Sequence, residues 1–361
     1  NDYQGVEISL SKVMEKDELF NIGNSDEYTR IRFGLFAAEN ITAADGSVIP
    51  ADGLISEISL AENMSAKFDT ALPFGKYYVQ EIATDEHYVL NGKKYLVNFE
   101  YMGQEVTTVT VDCGEFKNAL KRGKISGKKV DENEKSLENA LFGLFAVDTA
   151  EFTADNAYMT AVSDENGHFE FDKIPYGEYI VREIEAPTGY ILSDESYPVT
   201  ISEDGEVIEI KAVNKSTKVR ISKQDITTGE ELPGATLQII DEDGNVATEW
   251  VSTDEAHFIE GKLIAGKEYT LRETIAPDGY EIASEIKFTV NTDGSVTEVV
   301  MYDEHTPDLE IPPTVTIDTP NTGVSADNSA ELYLVAAAVI MAFGMVICKR
   351  NDKEQRKDDV K

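Results

Sequence analysis

Three stretches of the chain repeat one another: Tyr77-Tyr78-Val79-Gln80-Glu81, Tyr179-Ile180-Val181-Arg182-Glu183 and Tyr269-Thr270-Leu271-Arg272-Glu273. Each reads as a β-strand, on which alternate side chains share a face, so every copy sets a tyrosine and an aliphatic residue in line with a glutamate. An ionised carboxyl is costly to bury unless something pairs with it. A chain that makes this placement three times is therefore constrained to a repeated β unit with a partner for the acid.

The rest of the chain repeats around those stretches. The first unit opens with Val6, Ile8, Leu10 and Lys12 on one face. It continues through Ile31 to Ala37, Tyr95 to Tyr101, Glu105 to Val111 and Phe116 to Leu120. Phe116 and Asn118 are out of phase with Val109 and Val111, so a bulge or break is expected near Gly114. The second unit repeats the plan with Ile125, Gly127 and Lys129, then Ala140 to Phe145, the Glu183 strand, and Ile208, Ile210, Ala212 and Asn214. The third has Val219, Ile221 and Lys223, then Gly234 to Leu237, the Glu273 strand, and Val299, Met301 and Asp303. Short strands separated by Gly, Asp and Asn turns, without long helical periodicity before the C-terminus, indicate all-β sandwiches. A period of roughly 90 to 120 residues exceeds that of a solenoid and reads as beads on a string. The bridges Lys121-Arg122-Gly123 and Lys215-Ser216-Thr217 are short, which predicts a stiff rod.

Charge narrows the partners. Lys+Arg number 32 against 68 Asp+Glu, a formal net charge of −36. Nucleic acid and anionic membrane surfaces both require a basic footprint, so neither is expected as a partner. The segment Gly323 to Lys361 is balanced, which leaves the whole excess on residues 1–322. Cys113 and Cys348 do not read as partners, the second lying in an apolar run, so no disulfide framework is expected. The chain opens directly into a strand-like run from Asn1 with no leader pattern, which reads as a mature or truncated piece of something longer.

In each unit three polar groups fall in phase with the core, always in the same order. They are Lys12, Glu81 and Asn118; Lys129, Glu183 and Asn214; and Lys223, Glu273 and Asp303. Lys128 competes with Lys129, and strand phase favours Lys129. First and last strands of a sandwich can lie side by side, which brings lysine and Asn or Asp together with the glutamate against both. Burial lowers a lysine pKa and raises that of a glutamate, so a neutral amine beside a protonated acid becomes reachable. That amine is a nucleophile, and the acid can polarise the carbonyl and shuttle protons. The product is an isopeptide bond, with ammonia lost from Asn or water from Asp. The other arrangement open to each trio is a buried salt bridge with a hydrogen-bonded amide.

Specific motifs accompany the trios. The third unit carries Ile221-Ser222-Lys223-Gln224-Asp225, Thr228-Gly229-Glu230-Glu231-Leu232-Pro233-Gly234-Ala235, Glu273-Thr274-Ile275-Ala276-Pro277-Asp278-Gly279-Tyr280 and Val300-Met301-Tyr302-Asp303. The second carries Glu183-Ile184-Glu185-Ala186-Pro187-Thr188-Gly189-Tyr190, whereas the first has Ala83-Thr84-Asp85-Glu86-His87-Tyr88 instead. Over residues 1–305 the chain resembles the Cna B-type or SpaA-like, prealbumin-like repeats of Gram-positive surface adhesins and pilins. The third unit looks like the fibronectin-binding-protein domain used for peptide ligation, which implies a Lys223 to Asp303 bond assisted by Glu273. The resemblance implies three tandem β-sandwich domains over 1–122, 123–216 and 217–305.

Beyond Asp303 the composition shifts. Pro307, Pro312, Pro313 and Pro320 in a Thr-rich stretch make residues 306–323 an extended linker ending in Thr319-Pro320-Asn321-Thr322-Gly323. Residues 324–361 read as a spacer, a seventeen-residue apolar run from Leu332 to Cys348, and a charged tail beginning Lys349-Arg350. The run is at the lower edge of spanning length, as for a single C-terminal transmembrane helix. Pentapeptide, span and tail resemble a sortase cell-wall sorting signal, which implies cleavage between Thr322 and Gly323 and attachment of Thr322 to peptidoglycan. Thr319 stands where that family usually has Leu. An ordinary single-pass anchor is the alternative.

Other signals are bland. Asp241-Glu242-Asp243-Gly244 reads as a turn, since it lacks the remaining ligands of a calcium loop. His87, His168, His257 and His305 are scattered, so neither metal nor cofactor is expected, and Trp250 reads as packing. No Tyr-Pro-Lys-Asn pilin motif occurs. The sequence thus predicts a non-enzymatic, wall-anchored surface stalk. A minor pilin or an adhesin with a host extracellular-matrix or cell-surface ligand is the second reading, and the anchor region of a larger surface enzyme the third.

Overall fold

The alternation of apolar and polar residues is realised as β-strands in a computed structural model that describes residues 4–307. The first sandwich contains β1 (Gly5–Met14), β2 (Arg32–Ala37), β3 (Ile41–Thr42), β4 (Val48–Ile49), β5 (Leu54–Ser59), β6 (Ser65–Asp69), β7 (Gly75–Ala83), β8 (Tyr95–Phe99) and β9 (Thr108–Asn118). The second contains β10 (Arg122–Asp131), β11 (Leu141–Ala146), β12 (Met159–Val162), β13 (His168–Pro175), β14 (Gly177–Glu185), β15 (Ser196–Ile201) and β16 (Val207–Asn214). The third contains β17 (Lys218–Asp225), β18 (Thr236–Ile240), β19 (Val246–Val251), β20 (His257–Glu260), β21 (Glu268–Ile275), β22 (Ile286–Thr289) and β23 (Val296–Asp303). The pentapeptide Thr319 to Gly323, the apolar run Leu332 to Cys348 and the charged tail lie outside the described residues.

One topology is used three times. A three-stranded sheet has the first strand at its centre, in the orders β6-β1-β9, β13-β10-β16 and β20-β17-β23. The first strand runs antiparallel to a middle strand and parallel to the last one. A four-stranded antiparallel sheet accompanies it, in the orders β5-β2-β7-β8, β12-β11-β14-β15 and β19-β18-β21-β22. Inward residues of both sheets form each core. In the first sandwich Ile8, Leu10, Phe68 and Phe116 come from one sheet and Phe33, Leu35, Tyr77, Val79 and Phe99 from the other. Burial of such side chains is the main favourable term.

The two strands expected at 105–111 and 116–120 are one strand, β9, with a bulge in its middle. Its pairing with β1 slips between Ser9↔Asp112 and Ser11↔Glu115, so β9 carries one extra residue there. The extra residue inverts the strand's phase. Val109 and Val111 face inward before it, and Phe116 and Asn118 are buried after it.

Neighbouring sandwiches touch through specific side chains. Phe20, in the loop after β1, packs tilted against Tyr158, with ring centroids 4.6 Å apart, and meets Tyr179 edge-on at 5.6 Å in the second sandwich. Arg122 reaches back to donate to Glu15 Oε1 at 2.9 Å and Asp17 Oδ2 at 3.0 Å. At the next junction Ser216 Oγ donates to Glu260 Oε1 at 2.7 Å, and the Ser216 N–H donates to Glu132 Oε2 at 3.1 Å. Gly189 has φ +86°, and a Cβ there would sit 2.2 Å from the Gly261 carbonyl oxygen, so only glycine fits this close approach.

Gly127 answers to a different need. Phe169 stacks on Phe142 with centroids 3.8 Å apart and lies over Gly127, where a Cβ would be 2.1 Å from the ring. Gly127→Ala is expected to displace that buried stack and cost about 1–3 kcal/mol by overpacking. The measurement is a lowered urea midpoint at unchanged m-value.

Candidate functional site

The first strand of each sandwich delivers a lysine to the core because its inward phase ends on one. Lys12 follows Val6, Ile8 and Leu10 on β1, and Lys223 follows Val219 and Ile221 on β17. On β10 the inward lysine is Lys129, while Lys128 is exposed. Opposite Lys12, Lys129 and Lys223 on the parallel last strand lie Phe116, Ala212 and Met301. Two residues further along the same face are Asn118, Asn214 and Asp303. The bulge in β9 is what puts Asn118 into this phase.

The glutamates come from the other sheet. Glu81, Glu183 and Glu273 sit opposite Phe33, Phe142 and Leu237, and at each the register slips by one residue. Such a bulge re-aims the side chain beside it. All nine sequence-predicted residues are brought together in three separate centres, none more than 4% exposed.

In the first centre Lys12 Nζ donates to Glu81 Oε1 at 2.7 Å. Asn118 Nδ2 donates to Glu81 Oε1 at 3.0 Å, to Oε2 at 2.9 Å and to Thr84 Oγ1 at 2.9 Å. Asn118 Oδ1 is buried without a partner. In the second, Lys129 Nζ donates to Asn214 Oδ1 and lies 3.0 Å from Glu183 Oε1, which also accepts from Asn214 Nδ2 at 2.9 Å. In the third, Lys223 Nζ is against Asp303 Oδ1 and 3.1 Å from Glu273 Oε1, an ion-pair approach without hydrogen-bond alignment. Asp303 Oδ2 has no hydrogen-bond partner.

Burial sets the electrostatics. It pulls Lys12 and Lys129 below their ordinary 10.5, against the opposing pull of Glu81 and Glu183. It pushes Glu273 above 4.5, with Asp303 adding to the rise and the Ala283 N–H and Lys223 opposing it. These shifts favour the neutral amine in the first and second centres and the neutral acid in the third. A neutral amine in contact with a carboxamide, beside a protonatable acid, has the parts needed for acyl transfer.

Three features of the centres escaped the sequence reading. A backbone N–H ten residues beyond each glutamate donates to its Oε2: Asn91 at 2.8 Å, Ser193 at 3.1 Å and Ala283 at 2.7 Å. It anchors one oxygen and leaves the other toward the lysine. The bulges at the glutamates are the second. The third is a clasp two residues past the lysine, where Tyr190 OH donates to Asp131 Oδ2 at 3.4 Å and Tyr280 OH to Asp225 Oδ2 at 2.7 Å. The Lys-x-Asp spacing and the Gly-Tyr ending could have revealed it. In the first sandwich Met14 takes the aspartate's place, and Tyr88 OH donates to the Glu15 carbonyl at 3.0 Å.

Elsewhere, no group of three His, Cys, Asp or Glu side chains among the described residues is placed to hold a metal ion. Burial pushes the Cys113 thiol up to about 11. Trp250 is partly buried against the third core and stacks on His257 at 4.4 Å. The 241–244 segment is a turn, with Asp241 Oδ1 accepting from the Asp243 and Asn245 N–H groups.

Comparison with known proteins identifies the fold. The family model of the SpaA prealbumin-like fold domain matches residues 123–216 and 217–305, a little over half of the chain. The chain is 26% identical over 233 residues to the trypsin-resistant surface T6 protein of Streptococcus pyogenes serotype M6, covering 63% of this chain and 36% of that protein. It is similar in fold to the Bacillus anthracis TIE protein, with a TM-score of 0.50 and 22% identity over 83% of this chain and 51% of that one. The chain thus spans less than two thirds of the length of either. Two matched domains, and the same sheet topology in all three sandwiches, make this chain a member of the SpaA prealbumin-like fold domain family.

Proposed function

We propose that the chain is a structural, non-enzymatic stalk or adhesin region of a Gram-positive surface protein. In this reading each sandwich closes one isopeptide bond within itself, over the domains 1–122, 123–216 and 217–305, and sortase joins Thr322 to peptidoglycan. The observation that carries it is the threefold recurrence of one buried trio, with the lysine amine against the amide or carboxyl group in the second and third centres. An ordinary buried ion pair would not need an Asn or Asp at the same register position each time.

The chemistry follows from the placements. The neutral lysine Nζ attacks the side-chain Cγ of Asn118, Asn214 or Asp303. Glu81, Glu183 or Glu273, in its protonated form, donates to the carbonyl oxygen. The same glutamate takes a proton from the attacking nitrogen and returns one to the leaving group. One C–N bond forms, and ammonia leaves from Asn or water from Asp, with no net change in protons. Contact held by folding supplies effective molarity, up to ~7–11 kcal/mol of barrier in favourable cases. Exclusion of water matters most for Asp303, whose condensation water would otherwise reverse.

The bond would tie the first strand of a sandwich to its last. In the chain-entropy account, a cross-link closing a loop of roughly 100 residues contributes about 4–5 kcal/mol. A load entering at the first strand would leave through the last without extending the residues between. The name of the streptococcal relative supports a surface location, and the pentapeptide Thr319-Pro320-Asn321-Thr322-Gly323 supports attachment by sortase.

Intact mass tests the cross-links directly. The chain is expected to weigh less than its summed residues by two ammonias and one water, and Glu183→Ala is expected to restore the ammonia of the second sandwich alone. A full summed mass for the unaltered chain would sink the reading. The rate of the second bond is expected to pass through a maximum with pH, because attack needs the deprotonated amine and the protonated acid together. Its rising limb should lie below pH 10.5, since burial lowers the Lys129 pKa from that value. A timed mass series across pH checks this. For the attachment, the protein is expected in muralytic-enzyme digests of the wall, and Thr322→Ala should move it to the detergent extract.

A further inference from the structure

The three centres differ at one position that touches the reacting group. The residue three places after the glutamate is Thr84 in the first sandwich, and Ala186 and Ala276 in the others. Thr84 Oγ1 accepts from Asn118 Nδ2 at 2.9 Å. The remaining N–H faces Glu81, whose two oxygens lie at 3.0 and 2.9 Å. Both N–H groups of this amide are therefore committed. Its carbonyl oxygen is buried with no partner, while Lys12 Nζ bonds to Glu81 at 2.7 Å. In the alanine-bearing sandwiches the lysine meets the side-chain oxygen itself, Oδ1 of Asn214 or Asp303.

We propose that Thr84 is a positioning residue that slows closure of the Lys12–Asn118 bond by adding a second hold on the Asn118 amide nitrogen, which fixes the amide with its carbonyl oxygen off the lysine. The proposal rests on the cross-link reading above. Glu81 can polarise the carbonyl only if that oxygen faces it, which requires the amide to turn about its Cβ–Cγ bond. Turning breaks the hydrogen bonds of both N–H groups, whereas Asn214, beside Ala186, would give up only its bond to Glu183 Oε1 at 2.9 Å, so the hold that Thr84 adds is the second one. An amide's two ends are not interchangeable here, because one donates only and the other accepts only. The first sandwich is thus the late one to close, and the threonine sets the delay.

The bond chemistry is unchanged: Lys12 Nζ to Asn118 Cγ forms, Cγ to Nδ2 breaks, and ammonia leaves with the proton that the amine gives up. The test follows each bond separately. Full-length chain made by cell-free synthesis is chased for increasing times, quenched and digested, and linear and cross-linked peptides are counted for each sandwich. Thr84→Ala is expected to speed the first bond by about fivefold, the factor that one neutral hydrogen bond commands. The second and third bonds should keep their rates. Thr84→Ser should close as slowly as the unaltered chain, and Ala186→Thr should slow the second bond. That last arm stands even where Thr84→Ala folds poorly.

A first bond that Thr84→Ala leaves unchanged or slows overturns the proposal; slowing would mean that the hydroxyl assists the carbonyl. So does a first bond absent from both chains. If the second and third sandwiches lose neither ammonia nor water, it is the cross-link reading that fails.

Discussion

A lysine amine with almost no exposed surface is the constraint on which each sandwich turns. Lys12, Lys129 and Lys223 are at most 3% exposed, and a buried cation left unpaired is strongly destabilising. The acid that answers it comes from the opposite sheet, since the lysine's own sheet supplies the Asn or Asp beside it. That requirement fixes the phase of three strands at once. It explains the bulge at each glutamate, the backbone N–H that holds the glutamate's second oxygen, and the extra residue in β9. Apolar packing around Phe33, Phe142 and Leu237 then keeps water from the charges.

Much of this was legible because strand periodicity is strict. Alternation alone puts Lys12 in line with Val6, Ile8 and Leu10, and it selects Lys129 over Lys128. The unreadable parts depend on neighbours distant in sequence. β5, β12 and β19 are sheet edges whose patterns run through half-exposed and exposed residues, so their alternation is weak. The slip beside Glu81, Glu183 and Glu273 leaves no compositional mark, because any residue can occupy a bulge whose cause is pairing with the adjacent strand. Backbone donors such as Asn91, Ser193 and Ala283 carry no side-chain signature at all.

The first sandwich departs from its siblings in a connected way. Where the second and third have Ala-Pro after the glutamate strand, it has Thr84 and Asp85. Asp85 is buried and binds both Arg30, at 2.6 Å, and His87. Where the others close on an Asp–Tyr clasp, it has Met14 and the larger loop that carries Phe20 to the next domain. One end of this sandwich is thereby given over to holding its neighbour, with Arg122 reaching back to Glu15 and Asp17. The same fold meets two demands, an internal charge centre and an intramolecular joint, by varying the loops while the sheets stay constant.

The parallel pairing of first and last strands sets the order of events during synthesis. Parallel neighbours cannot be joined by a hairpin, and their contacts span nearly the whole domain, so they form late. As a chain grows from its N-terminus, Lys12 must wait for Asn118, Lys129 for Asn214 and Lys223 for Asp303. A domain interrupted before its final strand has a lysine with no Asn or Asp beside it. Completion of each buried centre thus waits on the last strand, and until that strand docks the first strand's lysine lacks one of its two partners.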